Sequence, residues 1–483
     1  MISKIKDIYG LAAILAYLGQ GESNAGSTAV SGSAPAESAN YLYSRASTEY
    51  KDVIAQMFEW DWNSVADECT NFLGPAGYGY VQTSPANEHV NGSEWYTDYE
   101  SVTYNITSKR GSRAEFKAMV KTCATAGVGV IADVVWNHMA NGTGGVGVNG
   151  SEFTHYDYPG IYSAENFHHC GLEANDDIVN YTSRAEVQTC QLAGLADLAT
   201  NSSFVQDRLA KYGDDLISLG VDGFRLDAAT HIPAKDIAAI LAAMKTKPAF
   251  VTQDVLYGQG EPITPNEYTR NGDVLEPRYT TELFNAFTTG NLSGLEVLNG
   301  RGWVKSSKAN TFVVSPDTER NGESLTFNST NNTFILASVF NLAHPYGRPT
   351  VLSSYYFADN DTSVGAPNNG TGDCETNSGW ICQHRQLQIV GMVGFRNNVK
   401  NSSHLNNFVS GTSAQIAFGR GSAGHVAINN ADSEWTVTLK TSLEDGSYCD
   451  VVGGYVNSAG NGCSGTAYVL QIFADRAATD TSL

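Results

Sequence analysis

Apolar and polar positions change their period along this chain. In "RAEFKAMVKTCATAG" apolar residues recur three and four apart, the spacing of one helix face, and "VGVIADVVWNH" then runs through consecutive apolar positions, the mark of a strand covered on both sides. The pair recurs as "VQDRLAKYGDDLISLG" followed by "VDGFRLDA", with "YGYVQTSP" as an earlier strand. Strand alternating with helix predicts a parallel sheet with covering helices, and over roughly 350 residues it predicts a closed barrel. The rhythm breaks between "DVVWNH" and "SSFVQDRL", where roughly sixty residues rich in Gly, Asn, Tyr and His carry two cysteines; a stretch of that length is expected to be a small inserted domain with its own staple. Past about residue 400 the pattern alternates and is rich in turns, as in "AQIAFGRGSAGHVAINN", "EWTVTLKT" and "AYVLQIFA", which predicts an antiparallel β domain. The expected boundaries are 41–136 and 198–400 for the barrel, 137–197 for the insertion and 401–483 for the β domain.

The first residues read differently. Lys4 and Lys6 precede a short apolar segment and then small residues, the layout of a secretory leader, expected over 1–25 and too short for a membrane span. The eight cysteines, Cys69, Cys123, Cys170, Cys190, Cys374, Cys382, Cys449 and Cys463, are an even set in a chain expected to be exported, so disulfides are expected. Spacing alone leaves their pairing open; four bridges between sequence neighbours are the simplest set. Zinc is not expected, because "HHC" at His168 to Cys170 has no second pair at ligand spacing. Sequons at Asn91, Asn105, Asn141, Asn180 and Asn291 predict a glycoprotein. A formal charge of −21 argues against nucleic acid as a partner. Neutral polymers and divalent cations fit better, and 24 tyrosines supply rings for flat ligands.

Against this background "GVDGFRLDAATHI" is unusual, because it sets Arg225 and Asp227 at the end of a buried run. An internal ion pair would account for them. So would an active site, since the C-terminal ends of barrel strands meet the substrate loops. Three further strand ends carry carboxylates: Asp133, with Asn137 and His138, in "VIADVVWNH"; Asp254 in "FVTQDVLYGQGE"; and Asp317 in "FVVSPDTERNGE". In a barrel these ends converge on one mouth, which favours the active site. The chain has no nucleophile elbow, no H-E-x-x-H and no phosphate loop, so facing carboxylates point to glycoside hydrolysis.

These motifs, in this order, resemble those of the α-amylase family: "DVVWNH", "GFRLDAATH", "QDVLYGQGE" and "VVSPDTERNG". "FEWDWNSVADECTNFLGPAGYGYVQTSPANEH", "CQLAGLADL" and "NLAHPYGRPTVLSSYYF" are similar to its animal-type branch, shared by actinobacterial and some fungal relatives, and the resemblance runs from about Gln56 to the C-terminus. It implies a (β/α)8 TIM barrel, a small domain inserted after the third strand and a C-terminal antiparallel β sandwich. It also implies a secreted, monomeric, retaining hydrolase that cleaves internal α-1,4-glucosidic bonds of starch or glycogen. By the same resemblance Asp227 is the nucleophile, Asp254 the acid/base and Asp317 the carboxylate that stabilises the transition state. Tyr99, Asp133, His138, Arg225 and His231 are implied as substrate-binding residues. Calcium is implied, held by the side chains of Asn137 and Asp197 and the carbonyls of Gln188 and His231.

The chain also departs from the family pattern. Asp254 stands where the family carries glutamate, Ser315 and Pro316 replace Asn-His before Asp317, and Thr230 replaces a lysine before His231. Glu261 matches a non-catalytic loop acid. Animal-type relatives hold chloride through two arginines and an asparagine; Arg225 remains, but Thr350 and Ser315 stand at the other positions, so chloride is not expected. The alternative these departures raise is a weak or inactive homologue that binds α-glucan.

Overall fold

The computed structural model describes residues 12–16, 51–298, 300–358, 360–376, 378–399, 402–456, 463–465 and 469–472. Most of the expected leader, the expected start of the barrel at 41–50 and parts of "AYVLQIFA" lie outside the described residues.

Eight parallel strands close into the barrel that the alternation predicts: β1 (Ile54–Met57), β2 (Tyr80–Thr83), β3 (Gly129–Val135), β4 (Gly223–Asp227), β5 (Phe250–Gln253), β6 (Asp273–Leu275), β7 (Ala309–Phe312) and β8 (Arg348–Ser353). They pair in chain order around the ring, with β8 closing on β1. β3 is buried over all but its first residue, which is why its apolar run is continuous.

The covering helices begin with α1 (Trp62–Glu68) and α2 (Arg113–Thr125). α2 starts at a reciprocal cap, Ser112 accepting from the Glu115 N–H while the Glu115 carboxylate accepts from the Ser112 N–H, and it buries Phe116, Met119, Val120 and Cys123 on one face. α3 (Ser203–Ser218) packs on α4 (Ala234–Ala243) beside β4. α5 (Pro277–Thr289) follows β6, and α6 (Pro316–Asn321) and α7 (Thr333–Ala343) follow β7. α8 (Leu387–Asn398) comes after β8.

Between β3 and α3 the chain leaves the barrel. His138–Asn141 and Leu195–Asp197 form a two-stranded base, and the segment above them is stapled by Cys170–Cys190. The other disulfides are Cys69–Cys123, Cys374–Cys382 and Cys449–Cys463, so every bridge joins sequence neighbours.

The C-terminal domain is all-β. β9 (Asn406–Ser410), β10 (Gln415–Arg420), β11 (Gly424–Asn429), β12 (Gly446–Asp450) and β13 (Val469–Ile472) lie in one antiparallel sheet, and Gly454–Val456 pairs separately with Cys463–Gly465. It docks tightly on α8, where a Cβ at Gly391 would lie 1.8 Å from the Val451 carbonyl oxygen. One expected strand is missing. Among the described residues nothing pairs with 435–440 of "EWTVTLKT", and the strand Ala12–Ala16 lies in the sheet between β11 and β12.

Candidate active site

At the C-terminal ends of the strands the barrel opens into a cleft of about 1380 Å³. Its floor is organised by one guanidinium. Arg225 lies beside Asp133 in the β3–β4 register, and its Nη1 donates to both Asp133 oxygens at 2.9 and 3.0 Å and to Asp227 Oδ1 at 2.6 Å. Its Nη2 donates to Asp254 Oδ2 at 2.6 Å. Asp254 follows β5 directly and its N–H donates to the Leu226 carbonyl at 2.9 Å, which holds it beside the end of β4. Three strands that are neighbours in the barrel thus bring three carboxylates to one cation.

Burial dominates the titration of Asp133 and Asp227. It raises Asp133 to about 7 and Asp227 to about 6, with the Arg225 charge opposing it in both. Burial opposes the charge of Arg225 too, but the three carboxylates hold its pKa well above the ordinary value.

Asp317 enters from the first turn of α6. Ser315 and Pro316 explain how it is aimed. Ser315 caps the helix, its Oγ accepting from the Thr318 N–H at 3.2 Å, and Pro316 takes the first helical position, where no N–H is needed. Burial, and next the neighbouring Asp254 charge, raises Asp317 to about 6.

Tyr99 and His138 complete this side of the cleft. The Tyr99 hydroxyl donates to Asp133 Oδ2 at 3.1 Å, and its carbonyl accepts from His138 Nε2 at 3.2 Å. Burial lowers His138 to about 4, so the ring is neutral; with Nε2 protonated, Nδ1 accepts from the Asn137 amide at 3.3 Å. His231 lines the cleft as well, with Nδ1 on the Val187 carbonyl at 3.0 Å.

The expected calcium ligands lie at the insertion base, in the turn after the short helix Arg184–Val187 and in the loop after β4. Asp197 pairs with His138 across the insertion base, its Oδ2 bonded to His168 Nδ1 at 2.6 Å, while its buried Oδ1 has no hydrogen-bond partner among the described residues. The Asn137 amide lies alongside, and among the described residues no donor reaches the Gln188 or His231 carbonyls. An orphaned carboxylate oxygen, an amide and two carbonyls without a donor are the oxygen types a hard cation takes, so these residues fit calcium by their chemistry. A separate group, Glu68, Cys374 and His384, is not such a set. Cys374 is in a disulfide, and the Glu68 carboxylate is paired with Arg385 and His384.

The remaining departures are accommodated by neutral contacts. Thr350 Oγ1 accepts from the Asn310 amide at 2.9 Å, and Thr230 Oγ1 donates to the Leu256 carbonyl at 3.3 Å. Glu261 also lines the cleft and accepts from the Gly258 N–H at 2.7 Å, within its own loop. The sequence reading missed Trp95, Tyr96 and Trp303, which line the cleft. The run "EWYTDY" beside Tyr99 was the available signal for the first two.

Comparisons with known proteins identify the family and fold. Residues 81–274 match the family described as "Alpha amylase, catalytic domain", and residues 406–480 match "Alpha amylase, C-terminal all-beta domain". The chain is 46% identical over 425 residues to an alpha-amylase of Streptomyces violaceus, covering 88% of this chain and 72% of that protein. It is 37% identical over 460 residues to an alpha-amylase of Tenebrio molitor, covering 90% and 94%. Among solved structures it is similar to wild-type alpha-amylase I of Eisenia fetida, with a TM-score of 0.81 and 32% identity, covering 89% of this chain and 97% of that one. A mutant of the same earthworm enzyme in complex with maltohexaose gives a TM-score of 0.81 at 33% identity, covering 87% and 95%.

Proposed function

This chain belongs to the α-amylase family of glycoside hydrolases, and on that premise we propose that it is a secreted enzyme cleaving internal α-1,4-glucosidic bonds of starch or glycogen with retention. The observation that carries the reading is the Arg225 guanidinium joined to Asp227 and Asp254 at adjacent strand ends of an open cleft.

In the proposed reaction Asp227, kept ionised and oriented by Arg225, attacks the anomeric carbon. Asp254 in its acid form delivers a proton to the departing glycosidic oxygen. Its Oδ2 is taken by Arg225 while Oδ1 accepts nothing among the described residues, so Oδ1 is the oxygen that transfers the proton. The ester formed at Asp227 is then hydrolysed by water, Asp254 removing the water proton, and the second inversion restores the starting anomer. Asp317 grips the sugar hydroxyls as positive charge spreads over the ring, and Tyr99 and His138 also contact the sugar.

Further parts of the reading are proposals of the same kind. Calcium held by Asn137, Asp197, Gln188 and His231 would supply a hard charge tying the insertion to the barrel. The leader over 1–25, the boundaries 41–136 with 198–400, 137–197 and 401–483, glycosylation at the sequons, a monomeric state and independence of chloride belong here too. The test follows reducing ends released from soluble starch, together with the proton NMR signal of the first-formed anomer. The α-anomer appearing first is expected; the β-anomer first rejects retention. Glucan binding with no turnover would leave the homologue that only binds.

A further inference from the structure

Two of the residues that line the cleft are tied together by a buried chain of charges. Its centre is Glu59, just past β1. Glu59 is fully buried and has φ 63, a left-handed conformation uncommon for a residue with a side chain. Its backbone is held there from both ends, the N–H donating to Ser84 Oγ at 2.9 Å and the carbonyl accepting from Arg110 Nη1 at 2.7 Å. Its carboxylate accepts from Arg110 Nη2 on one oxygen and from the Tyr355 hydroxyl on the other.

Each contact leads to a functional wall. Arg110 Nε donates to Asp98 at 2.9 Å, Lys109 pairs with the same carboxylate at 3.1 Å, and Asp98 immediately precedes Tyr99. On the other branch the Tyr355 hydroxyl accepts from Arg320 Nη2 at 3.0 Å. Arg320 lies one turn beyond Asp317 in α6, and its Nη1 donates to the Pro316 carbonyl at 2.9 Å and to Glu319 at 2.7 Å. Its guanidinium also sits among aromatic rings, 4.6 Å from the Phe357 centroid, 5.1 Å from Trp95 and 5.2 Å from Phe58. Lys109, Arg110 and Arg320 stand against Glu59, Asp98 and Glu319, three basic side chains to three carboxyls. Burying several charged side chains carries a desolvation cost that an apolar core of the same shape avoids.

We propose that Glu59 and Tyr355 are positioning residues, which through Arg110 and Asp98 fix the Tyr99 ring and through Arg320 fix the Asp317 carboxyl. The functional roles of Tyr99 and Asp317 rest on the hydrolase reading above; the positioning itself does not. The Tyr355 hydroxyl is the joint between the branches. Tyr355→Phe removes it and keeps the ring that stacks on Phe58 at 6.2 Å. Glu59→Gln keeps the shape and removes the charge.

Crystal structures of the full chain and of Tyr355→Phe read the proposal directly, whether or not the protein turns over glucan. The Asp317 carboxyl or the Tyr99 ring displaced by about 1 Å is expected, a misplacement large enough to matter for catalysis; both unmoved overturns it. In the active enzyme kcat on starch should fall about tenfold in Tyr355→Phe with KM within about twofold, because interactions made only in the transition state are lost. Glu59→Gln, where it folds, should show the same split. A drop in melting temperature with kcat and KM unchanged marks a merely structural hydroxyl and overturns the proposal. A parent without turnover or glucan binding sinks the hydrolase reading instead, and the displacement still decides the positioning.

Discussion

Arg225 Nη2 lies 2.6 Å from Asp254 Oδ2, on the same guanidinium that holds Asp227. An aspartate at this strand end is anchored to the barrel floor, whereas one more methylene would carry the carboxyl farther toward the glycosidic oxygen. Asp254→Glu should therefore raise kcat on starch by roughly tenfold or more, at least about 1.4 kcal/mol of barrier. The gain should shrink on an aryl glycoside with a good leaving group, which needs little protonation. An equal gain on both substrates would point to general tightening of the site, and no gain on either would remove reach as the limiting factor.

The acid limb of activity should lie high. Burial raises Asp227 to about 6, with Arg225 opposing it, and burial with the Asp254 charge raises Asp317 to about 6. Both must be ionised in the proposed reaction, so kcat/KM should fall as pH drops through about 6, well above the ordinary carboxylate range. The stability contribution has the opposite sense. A raised carboxylate pKa means the folded state holds protons the unfolded chain releases, so stability from these groups is present below the unfolded pKa and is lost as pH rises through about 6. A pH–rate profile flat down to about pH 4.5 would contradict the burial of the pair.

How much of this was legible in the sequence differs residue by residue. Asp133, Arg225 and Asp254 stood out because strands covered on both faces are otherwise apolar, so a charge at a strand end breaks the pattern. That they converge on one cation was not legible, since it needs β3, β4 and β5 to be ring neighbours. Ser315 and Pro316 read as departures from a motif, and only the helix they start shows them as a cap. The Glu59–Tyr355 contact joins positions 296 residues apart, and no local period marks either of them.

Calcium removal should loosen the junction of insertion and barrel. Asp197 keeps a buried carboxylate oxygen with no hydrogen-bond partner among the described residues, and burial raises its pKa to about 6 against the His168 contact. A chelator should lower the melting temperature by a few degrees, the effect of losing about 2 kcal/mol of linkage. Asp197→Ala should abolish the response to added calcium. Unchanged melting after metal analysis confirms removal would reject the site.

Chloride should not activate. Ser315 Oγ serves the helix cap at 3.2 Å, Thr350 Oγ1 accepts from Asn310 at 2.9 Å, and Arg225 is already matched by three carboxylates. Rates in sodium chloride and in sodium sulfate of equal ionic strength should agree within about twofold. A saturable rise seen with chloride alone would show an anion site these residues do not account for.

The last expectation concerns the slot held by the strand Ala12–Ala16. It pairs antiparallel with β11, Ala12 facing Ile428 and Ala16 facing Gly424, and with β12, Leu15 facing Asp450. Residues 435–440 lie between those two strands in the chain and keep a strand's alternation: Trp435 is buried, Val437 and Leu439 are half-buried, and Thr436, Thr438 and Lys440 are exposed. They need only short connections to run antiparallel between β11 and β12, the ordinary course of a meander. When the proposed leader is removed on export, 435–440 should take its place. Hydrogen exchange then distinguishes the two forms: amides of 436–440 should exchange quickly in the full chain and become protected in a chain lacking residues 1–25. Equally fast exchange in both would mean that the slot stays open and that the alternating pattern of "EWTVTLKT" does not encode a strand.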